Sequence, residues 1–412
     1  PVFEHSFYRW WYRQIASESP ELEKFYSPEH RRKIREFRST DTEVIGLSRN
    51  IVHSRLSEQV PNPSVPNIET SELGILRKEI KKKRRHLSVR TLCKQLKTLL
   101  PRIKPCFLMS PLSVAQFLDV ELPPFDVVVF DEASQIPVWD AIGAIGRGSQ
   151  VIVVGDSKQL PPTNFFQKMD EQDEFQIDGE PDLDDLESIL DESVASGLPQ
   201  NYLKWHYRSR HENLIAFSNY HYYANRLITF PSAEARSNRL GVEFRYLENG
   251  IYDKGRSRTN KLEAEAVVDE VVRRLRDPGE CDRSIGIVTF NLAQQRRIED
   301  LLEKARRDYP EIDPYFSYDS GEPVFVKNLE NVQGDERDVI MLSVCYGPDQ
   351  QGRVSMNFGP LNREGGERRL NVAITRAREQ ALIFTSLRSD QIDLSRTRSV
   401  GVEHLKTYLD YA

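Results

Sequence analysis

The sequence has no apolar run as long as the roughly 18 residues that a membrane-spanning helix requires. Its first residues are polar and aromatic and do not resemble a secretion signal. Cysteine is scarce, and the few present lack the spacing of disulfide or metal-ligand pairs, so we expect reduced thiols in a cytoplasmic protein. The four cysteines are Cys93, Cys106, Cys281 and Cys345.

Basic residues are also fewer than acidic ones, since the formal net charge of the 412 residues is −6. Residues 170–192 contain twelve acidic residues and no Lys or Arg, so the remainder of the chain carries +6. A positive body is compatible with binding to a nucleic-acid backbone, although a solvated acidic loop is equally compatible with no such role. We expect 170–185 to be a mobile acidic loop.

Two short apolar segments, residues 127–130 and 151–154, are each followed by acidic side chains. Apolar runs without alternation predict strands buried on both faces of a parallel sheet. Ligands of such sheets bind at the carboxyl ends of the strands. We therefore expect Asp131, Glu132 and Asp156 to converge on one crevice.

Carboxylates in this position suit a nucleoside triphosphatase. An Asp at a strand end can hold the Mg²⁺ that bridges the β- and γ-phosphates of ATP, and an adjacent Glu can take the proton of the attacking water. The pair alone is a modest signal, because buried strands often end in solvated acids. The run from Gly155 to Thr163 is more specific, since the amide of Gln159 can contact a phosphate oxygen and the water.

The letters DEAS and GDSKQLPPT in this stretch resemble motifs II and III of the superfamily 1 helicases. The closest resemblance is to the 1B branch, which includes the up-frameshift-type RNA helicases and the Okazaki-fragment nuclease-helicases. It implies hydrolysis of ATP with Mg²⁺ and movement from 5′ to 3′. By the same resemblance, Asp131 is the metal ligand, Glu132 the base and Gln159 the γ-phosphate sensor, with Asp156 also at the nucleotide.

Two further stretches resemble the arginine-bearing motifs of this family. Residues 203–210, LKWHYRSR, resemble the Tyr-Arg motif, which implies that Arg208 reaches the γ-phosphate from a second domain. Residues 371–378, NVAITRAR, resemble motif VI, which makes Arg376 a second arginine finger. Arginine suits this role because its fixed charge stabilises charge that spreads over the transferred phosphoryl group.

Residues 331–338, NVQGDERD, resemble motif V. Gly334 allows close backbone approach, and Glu336 stands where family members bind the ribose hydroxyls. Asp335 departs from the family pattern, in which a basic residue is common.

Contacts with a single nucleic-acid strand are expected from positions on both domains. In the resembled helicases a Ser/Thr turn contacts the strand backbone at the position of Ser110, for which helix capping is the structural alternative. The resemblance implies such contacts at the end of motif III and after a strand of the second domain. The residues concerned are Ser110, Pro162, Thr163, Thr289 and Asn291.

The alternation of apolar strands and amphipathic helices predicts an α/β fold with two RecA-like parallel-sheet domains, the first incomplete. Residues 1–104 are expected to be a helical insertion or stalk of motor domain 1. The remainder of that domain covers 105–200, and the second domain covers 201–412. Local patterns add a strand at 106–109, a helix capped by Ser88 and ended by Pro101, and a helix from Lys261 with a capping-box-like pair of Asn260 and Glu263.

The amino-terminal region has two features with more than one interpretation. Its aromatic start, which includes Trp10 and Trp11, is more typical of packing than of stacking on bases. The basic run 81–85 can contact nucleic acid, but a solvated helix face is the default.

The phosphate cradle Gly-x-x-x-x-Gly-Lys-[Ser/Thr] is absent, because none of the 21 glycines is followed by Lys. Either the sequence is a fragment that starts downstream of this motif, or the protein is a degenerate homologue. The intact arginine motifs favour the fragment. The upstream segment of the same polypeptide is then a required partner, and a nuclease domain is possible in the full-length protein.

We therefore expect an ATP-dependent helicase or translocase on single-stranded DNA or RNA, present as a fragment. A non-hydrolysing nucleic-acid clamp or regulatory module is the alternative. A further alternative, an ABC or AAA-type ATPase acting on protein, fits the QLPP and TRAR sequences poorly.

We predict that these 412 residues alone hydrolyse little or no ATP, because the Lys and backbone N–H groups that hold the phosphates are missing. Phosphate release measured on the purified chain tests this, and robust turnover would contradict it.

Overall fold

The computed structural model describes residues 2–62, 69–162, 188–232 and 239–412, and the chain forms two compact units, residues 1–125 and 126–412. No helix among these described residues is both long and apolar enough to cross a membrane. The predicted acidic loop 170–185 and Thr163 lie outside the described residues.

The described part of the first unit consists of helices and connecting segments. Its longest element is a helix of 33 residues in which no side chain is buried. The buried apolar side chains come from the last third of the unit, and they are Cys93, Leu96, Leu99 and Leu118. The helices are α1 (Val2–Glu18), α2 (Pro20–Glu23), α3 (Ser27–Gln59), α4 (Glu72–Lys81), α5 (Val89–Gln95), α6 (Leu99–Ile103) and α7 (Pro111–Phe117).

The aromatic side chains of α1 contact one another rather than a core. The Phe7 ring lies 5.9 Å from that of Trp11 and 6.3 Å from that of Trp10. These rings nevertheless remain 43–60% exposed. Packing of this aromatic cluster against the described protein, which the sequence favoured, is therefore not observed.

Two local predictions in this unit are wrong. The helix capped by Ser88 ends at Gln95, not at Pro101, and Pro101 lies inside the separate helix α6. Residues 106–109 do not form a strand. Leu108 is 94% exposed, and no described strand pairs with this segment, so its backbone groups have no ladder partner.

The second unit contains a small parallel sheet at the acidic stretch. Strands β1 (Val128–Phe130) and β2 (Val151–Val153) pair with Val128 opposite Val151, and helix α8 (Val138–Ile145) connects them. The predicted strands are thus confirmed. Burial on both faces is not observed, because Val129 is 58% exposed and no described element covers that face.

A larger sheet of five parallel strands follows in the order β3-β7-β6-β4-β5. Thr289 lies opposite Ser343, and Ser343 lies opposite Phe384, so the carboxyl ends of three strands are level. The α/β fold with parallel sheets is thereby confirmed. The strands are β3 (Gly241–Tyr246), β4 (Ile285–Thr289), β5 (Phe325–Asn328), β6 (Arg337–Ser343) and β7 (Ala377–Thr385).

Helices cover both faces of the five-stranded sheet. Alternate strand residues enter two separate apolar clusters, as expected when successive side chains point to opposite faces. Ile287 and Met341, for example, share a cluster with side chains of two helices, whereas Val288 and Leu342 share one with side chains of three others. Helix α9 (Ile189–Ala195) packs instead against α8 and β2 of the small sheet. The helices of the first cluster are α11 (Lys261–Arg276) and α12 (Leu292–Asp308), and those of the second are α10 (Asn213–His221), α13 (Gly366–Ile374) and α14 (Val400–Tyr411).

Short 3₁₀ helices occupy several connections of this unit. They are Ala133–Gln135, Pro310–Phe316, Tyr318–Ser320, Gly359–Asn362, Ser389–Gln391 and Leu394–Arg396.

Glu263, near the start of α11, has a buried carboxylate, whereas the sequence predicted that it would cap the helix. Asn260 Oδ1 accepts a hydrogen bond from Glu263 N at 3.2 Å, as predicted for a cap. The Glu263 carboxylate does not return to the helix end, however. It is fully buried and accepts from Ser343 Oγ at 2.8 Å and from Cys345 N at 2.6 Å. Burial raises the pKa of Glu263 to about 8, although these hydrogen bonds lower it.

We predict that, between pH 5 and 8, the free energy of unfolding falls less steeply with pH in Glu263→Gln than in the unsubstituted chain. The folded-state pKa of about 8 exceeds the unfolded value, so the stability contributed by the protonated form is lost as pH rises through 8. The free energy of unfolding of the unsubstituted chain should therefore fall relative to the variant by at most about 1.4 kcal/mol per pH unit. Denaturant titrations at several pH values measure this difference. Glu265→Gln, on the same helix but partly exposed, is the control. If the stability of Glu263→Gln depended on pH as that of the unsubstituted chain does, the prediction would be contradicted.

Candidate active site

The acidic residues follow their strands directly. Asp131 and Glu132 follow β1, and both are exposed. Asp131 Oδ1 accepts a hydrogen bond from Glu132 N at 3.0 Å. The Glu132 backbone is left-handed, with φ of 52°, a conformation that non-glycine residues adopt mostly at constrained sites.

Glycine is required where β2 meets this acidic turn. A Cβ on Gly155 would lie 3.0 Å from Ser134 N and 3.2 Å from Ala133 N. The absence of a side chain therefore lets the segment after β2 pack directly against the turn after Glu132.

Asp156 organises the loop that follows. Its Oδ1 accepts from Lys158 N at 2.8 Å, and its Oδ2 accepts from Gln159 Nε2 at 3.0 Å and from the Tyr223 hydroxyl at 2.7 Å. In this arrangement the Gln159 amide is held against Asp156. Burial raises the pKa of Tyr223 well above its usual value, and the nearby Asp156 carboxylate adds to this, so Tyr223 is a hydrogen-bond donor at neutral pH.

Asn371 connects the same loop to helix α13. Its Nδ2 donates to Lys158 O at 2.9 Å and to the Tyr223 hydroxyl at 3.1 Å. Asn371 Oδ1 is buried and has no hydrogen-bond partner among the described residues, as Ser134 Oγ also has none. These orphaned polar atoms leave hydrogen-bonding capacity at the site.

Gln333 makes a second connection. Its Nε2 donates to Glu132 Oε2 at 3.0 Å, and its Oε1 accepts from Leu160 N at 3.1 Å. The loop between β5 and β6 is thereby tied to both acidic turns.

Arg376 is a buried cation that hydrogen-bonds to no carboxylate among the described residues. Its Nε donates to Val372 O at 2.8 Å, and the residue is only 3% exposed. Burial and, second to it, the positive charge of Arg208 lower its pKa to about 10, while the charges of Glu132 and Glu336 oppose the shift. Arg376 therefore remains charged at neutral pH and lies within electrostatic reach of the acidic turn.

Arg208 is held by Glu336, with 2.6 Å between Nε and Oε2. Glu336 Oε1 also lies 3.7 Å from Arg378 Nη1. Gly334, two residues earlier, has φ of 86° and open space where a side chain would project. The residues expected to contact a nucleotide are thus connected within one unit through charges and hydrogen bonds.

The residues expected to contact nucleic acid are placed differently. Ser110 belongs to the first unit and caps α7, since its Oγ accepts from Ser113 N at 3.2 Å. Pro162 is buried, and Thr163 lies outside the described residues. Thr289 is fully buried, and its hydroxyl donates to Asn291 O at 3.0 Å. Asn291 caps α12 by accepting from Gln294 N at 2.7 Å.

Three connecting residues were not singled out from the sequence: Gln333, Tyr223 and Asn371. Gln333 and Asn371 lie inside stretches that resemble helicase motifs, so a search for amide side chains within those motifs would have found them. Tyr223 lies in the run YHYY at 220–223, which carries no signal that distinguishes one tyrosine.

The exposed Asp131 carboxylate suits Mg²⁺, which prefers oxygen ligands and is usually held by one or two carboxylates together with substrate phosphates. No cluster of three or more potential metal ligands occurs in the described ranges of the chain. The donor set therefore fits a metal that is shared with a phosphate ligand rather than a site made of protein alone.

Two family models, both described as an AAA domain, match residues 109–166 and 186–388. An uncharacterized ATP-dependent helicase of Mycoplasma pneumoniae is 36% identical over 323 residues, which cover 76% of this chain and 28% of that protein. The corresponding Mycoplasma genitalium protein is 35% identical over 321 residues, with the same coverage. Human probable helicase senataxin is 28% identical over 274 residues, which cover 65% of this chain and 10% of senataxin. The chain thus spans less than a third of the length of these relatives.

Among solved structures, the PRRSV helicase aligns with 64% of this chain and 35% of that chain at 15% identity. The TM-score is 0.29, which is too low to support conclusions about this chain.

We predict that Tyr223→Phe lowers the free energy of unfolding by about 1–3 kcal/mol, because Asp156 loses a donor and Asn371 loses an acceptor. Denaturant unfolding of the chain measures the change. Tyr220→Phe is the matched control, since Tyr220 is 67% exposed, and it should change stability by less than about 0.5 kcal/mol. Equal effects of the two substitutions would contradict the prediction.

Proposed function

We propose that this chain, which belongs to the superfamily 1 helicases, supplies most of the ATP-hydrolysing site of a helicase or translocase on single-stranded nucleic acid. The observation that carries the proposal is the connection of one acidic turn with two arginines. Gln333 donates to Glu132, and Arg208 pairs with Glu336 of the same stretch. Asn371, in the stretch that contains the buried Arg376, donates to Lys158 O in the loop after Asp156.

In the proposed reaction, water attacks the γ-phosphorus of ATP and the bond from phosphorus to the ADP oxygen breaks. Glu132 accepts the proton that the water loses, because its carboxylate is exposed beside Asp131. Asp131 would hold Mg²⁺, and a bound Mg²⁺ neutralises charge on the phosphate oxygens. Gln159 donates to Asp156 in this structure and would exchange that partner for the γ-phosphate.

The arginines stabilise the negative charge that spreads over the transferred group. Arg376 suits this role because it is buried, charged at neutral pH and hydrogen-bonded to a backbone carbonyl rather than to a carboxylate. Arg208 would exchange Glu336 for phosphate, which leaves Glu336 to accept hydrogen bonds from the ribose hydroxyls. Gly334 keeps the adjacent backbone open to the nucleotide.

Single-stranded DNA or RNA is the proposed partner, with contacts at the motif III loop and near Asn291. Thr289 would take part in this surface only as the last residue of β4, because its side chain is fully buried. We assign residues 1–104 to an insertion, 105–200 to the first motor domain and 201–412 to the second. The free cysteines among the described residues are compatible with the proposed cytoplasmic location.

We also propose that hydrolysis requires a phosphate-binding loop from elsewhere in the natural protein. None of the glycines in these 412 residues is followed by Lys. The match covers only 28% of the Mycoplasma pneumoniae relative, and the rest of that protein is long enough to contain such a loop.

We predict that Glu132→Gln and Arg376→Ala each reduce strand-stimulated ATP hydrolysis by the natural protein at least about 100-fold, because a base or a transition-state charge is removed. Strand binding should be retained. Phosphate release and fluorescence anisotropy with a labelled oligonucleotide measure the two activities.

Glu248→Gln is the control for these variants, since Glu248 is exposed and remote from the acidic turn in sequence. A natural protein that binds strand tightly but neither hydrolyses ATP nor responds to it would instead support the clamp alternative.

A further inference from the structure

Gln333 occupies a loop whose position is fixed by burial. The loop lies between Asn328, the last residue of β5, and Arg337, the first residue of β6. Leu329 and Val332 are fully buried, and Leu329 N donates to Thr289 O at 3.1 Å. Gln333 therefore extends from an anchored backbone rather than from a freely moving segment.

The two ends of the Gln333 amide have different partners. Leu160 N can only donate, so the oxygen of the amide must face it, at 3.1 Å. The Glu132 carboxylate can only accept when ionised, so the NH₂ group must face it, at 3.0 Å. The chemistry of the partners thus fixes the orientation of the amide.

Glu132 needs external support for its orientation. Its backbone is in the left-handed region, and such conformations persist where surrounding contacts hold them. Asp131 Oδ1 contacts the backbone N–H of Glu132 but leaves the side chain unrestrained. The Gln333 amide is the hydrogen-bond donor that the structure places on the carboxylate.

We propose that Gln333 is a positioning residue for the hydrolytic base. It holds Oε2 of Glu132, directs Oε1 toward the attacking water, and ties the base to the loop that carries Gln159. The inference rests on the proposed function, because it assigns a role to a residue that supports Glu132 in that reaction.

Glutamine is specifically required by this geometry. Asparagine carries the same amide on a side chain one methylene shorter, so the amide would fall short of Glu132 and Leu160 unless the backbone moved. Glutamate would replace the donor by a second carboxylate, which cannot donate to Glu132 and repels it. Alanine removes both hydrogen bonds and leaves the Glu132 side chain free to rotate.

The test uses the natural protein that contains this chain and measures strand-stimulated ATP hydrolysis as a function of ATP concentration. Gln333→Ala should lower kcat roughly 10- to 100-fold, the range for loss of a hydrogen bond to a charged group, with KM for ATP little changed. Gln333→Glu should lower kcat at least as much, because the donor to Glu132 is replaced by a group of like charge.

Two further comparisons separate positioning from a structural effect. In a Glu132→Gln background, Gln333→Ala should cause little additional loss, because residues that act as a unit are not additive. Gln350→Ala, at an exposed glutamine outside the site, should behave as the unsubstituted protein, and unfolding temperatures identify any variant that fails to fold.

The outcomes distinguish the two proposals. An unsubstituted protein without ATP hydrolysis overturns the proposed function, and with it the role of Gln333. Active protein in which Glu132→Gln abolishes hydrolysis, while Gln333→Ala and Gln333→Glu both leave kcat intact, overturns the role of Gln333 alone.

Discussion

Parallel pairing of strands is the constraint on which the rest of the structure depends. Every pair in the two described sheets is parallel, so each sheet presents all its carboxyl ends along a single edge. Loops that leave this edge are brought together regardless of their separation in sequence. The acidic turns follow the small sheet, and the polar cluster around Glu263 lies where β6 and β7 end.

The sequence was most informative where chemistry is encoded in a continuous stretch. The strands before Asp131 and Asp156, the parallel α/β class and the cap at Asn260 follow from local pattern alone. Gln333 and Glu132, however, are separated by 201 positions, and local periodicity contains no information about such a contact. Burial was also difficult to predict, because it depends on which elements are present to cover a surface. Val129 is therefore exposed where a buried strand was expected, and Thr289 is buried where a ligand contact was expected.

The buried guanidinium of Arg376 has an energetic cost that the fold accommodates. A charge removed from water is unfavourable unless it is paired, and here the guanidinium donates to a backbone carbonyl and to the Thr375 hydroxyl. Arg208, a like charge, lies close enough to lower its pKa. An anion between the two arginines would relieve both effects, which supports the proposal that a negatively charged ligand binds there.

The uncovered helix α3 has a mechanical consequence. Its 33 residues extend about 50 Å at 1.5 Å per residue. A rotation of about 10° at one end of a straight rod of that length displaces the other end by roughly 9 Å. A helix of this length therefore amplifies a small angular change at one end into a large displacement at the other.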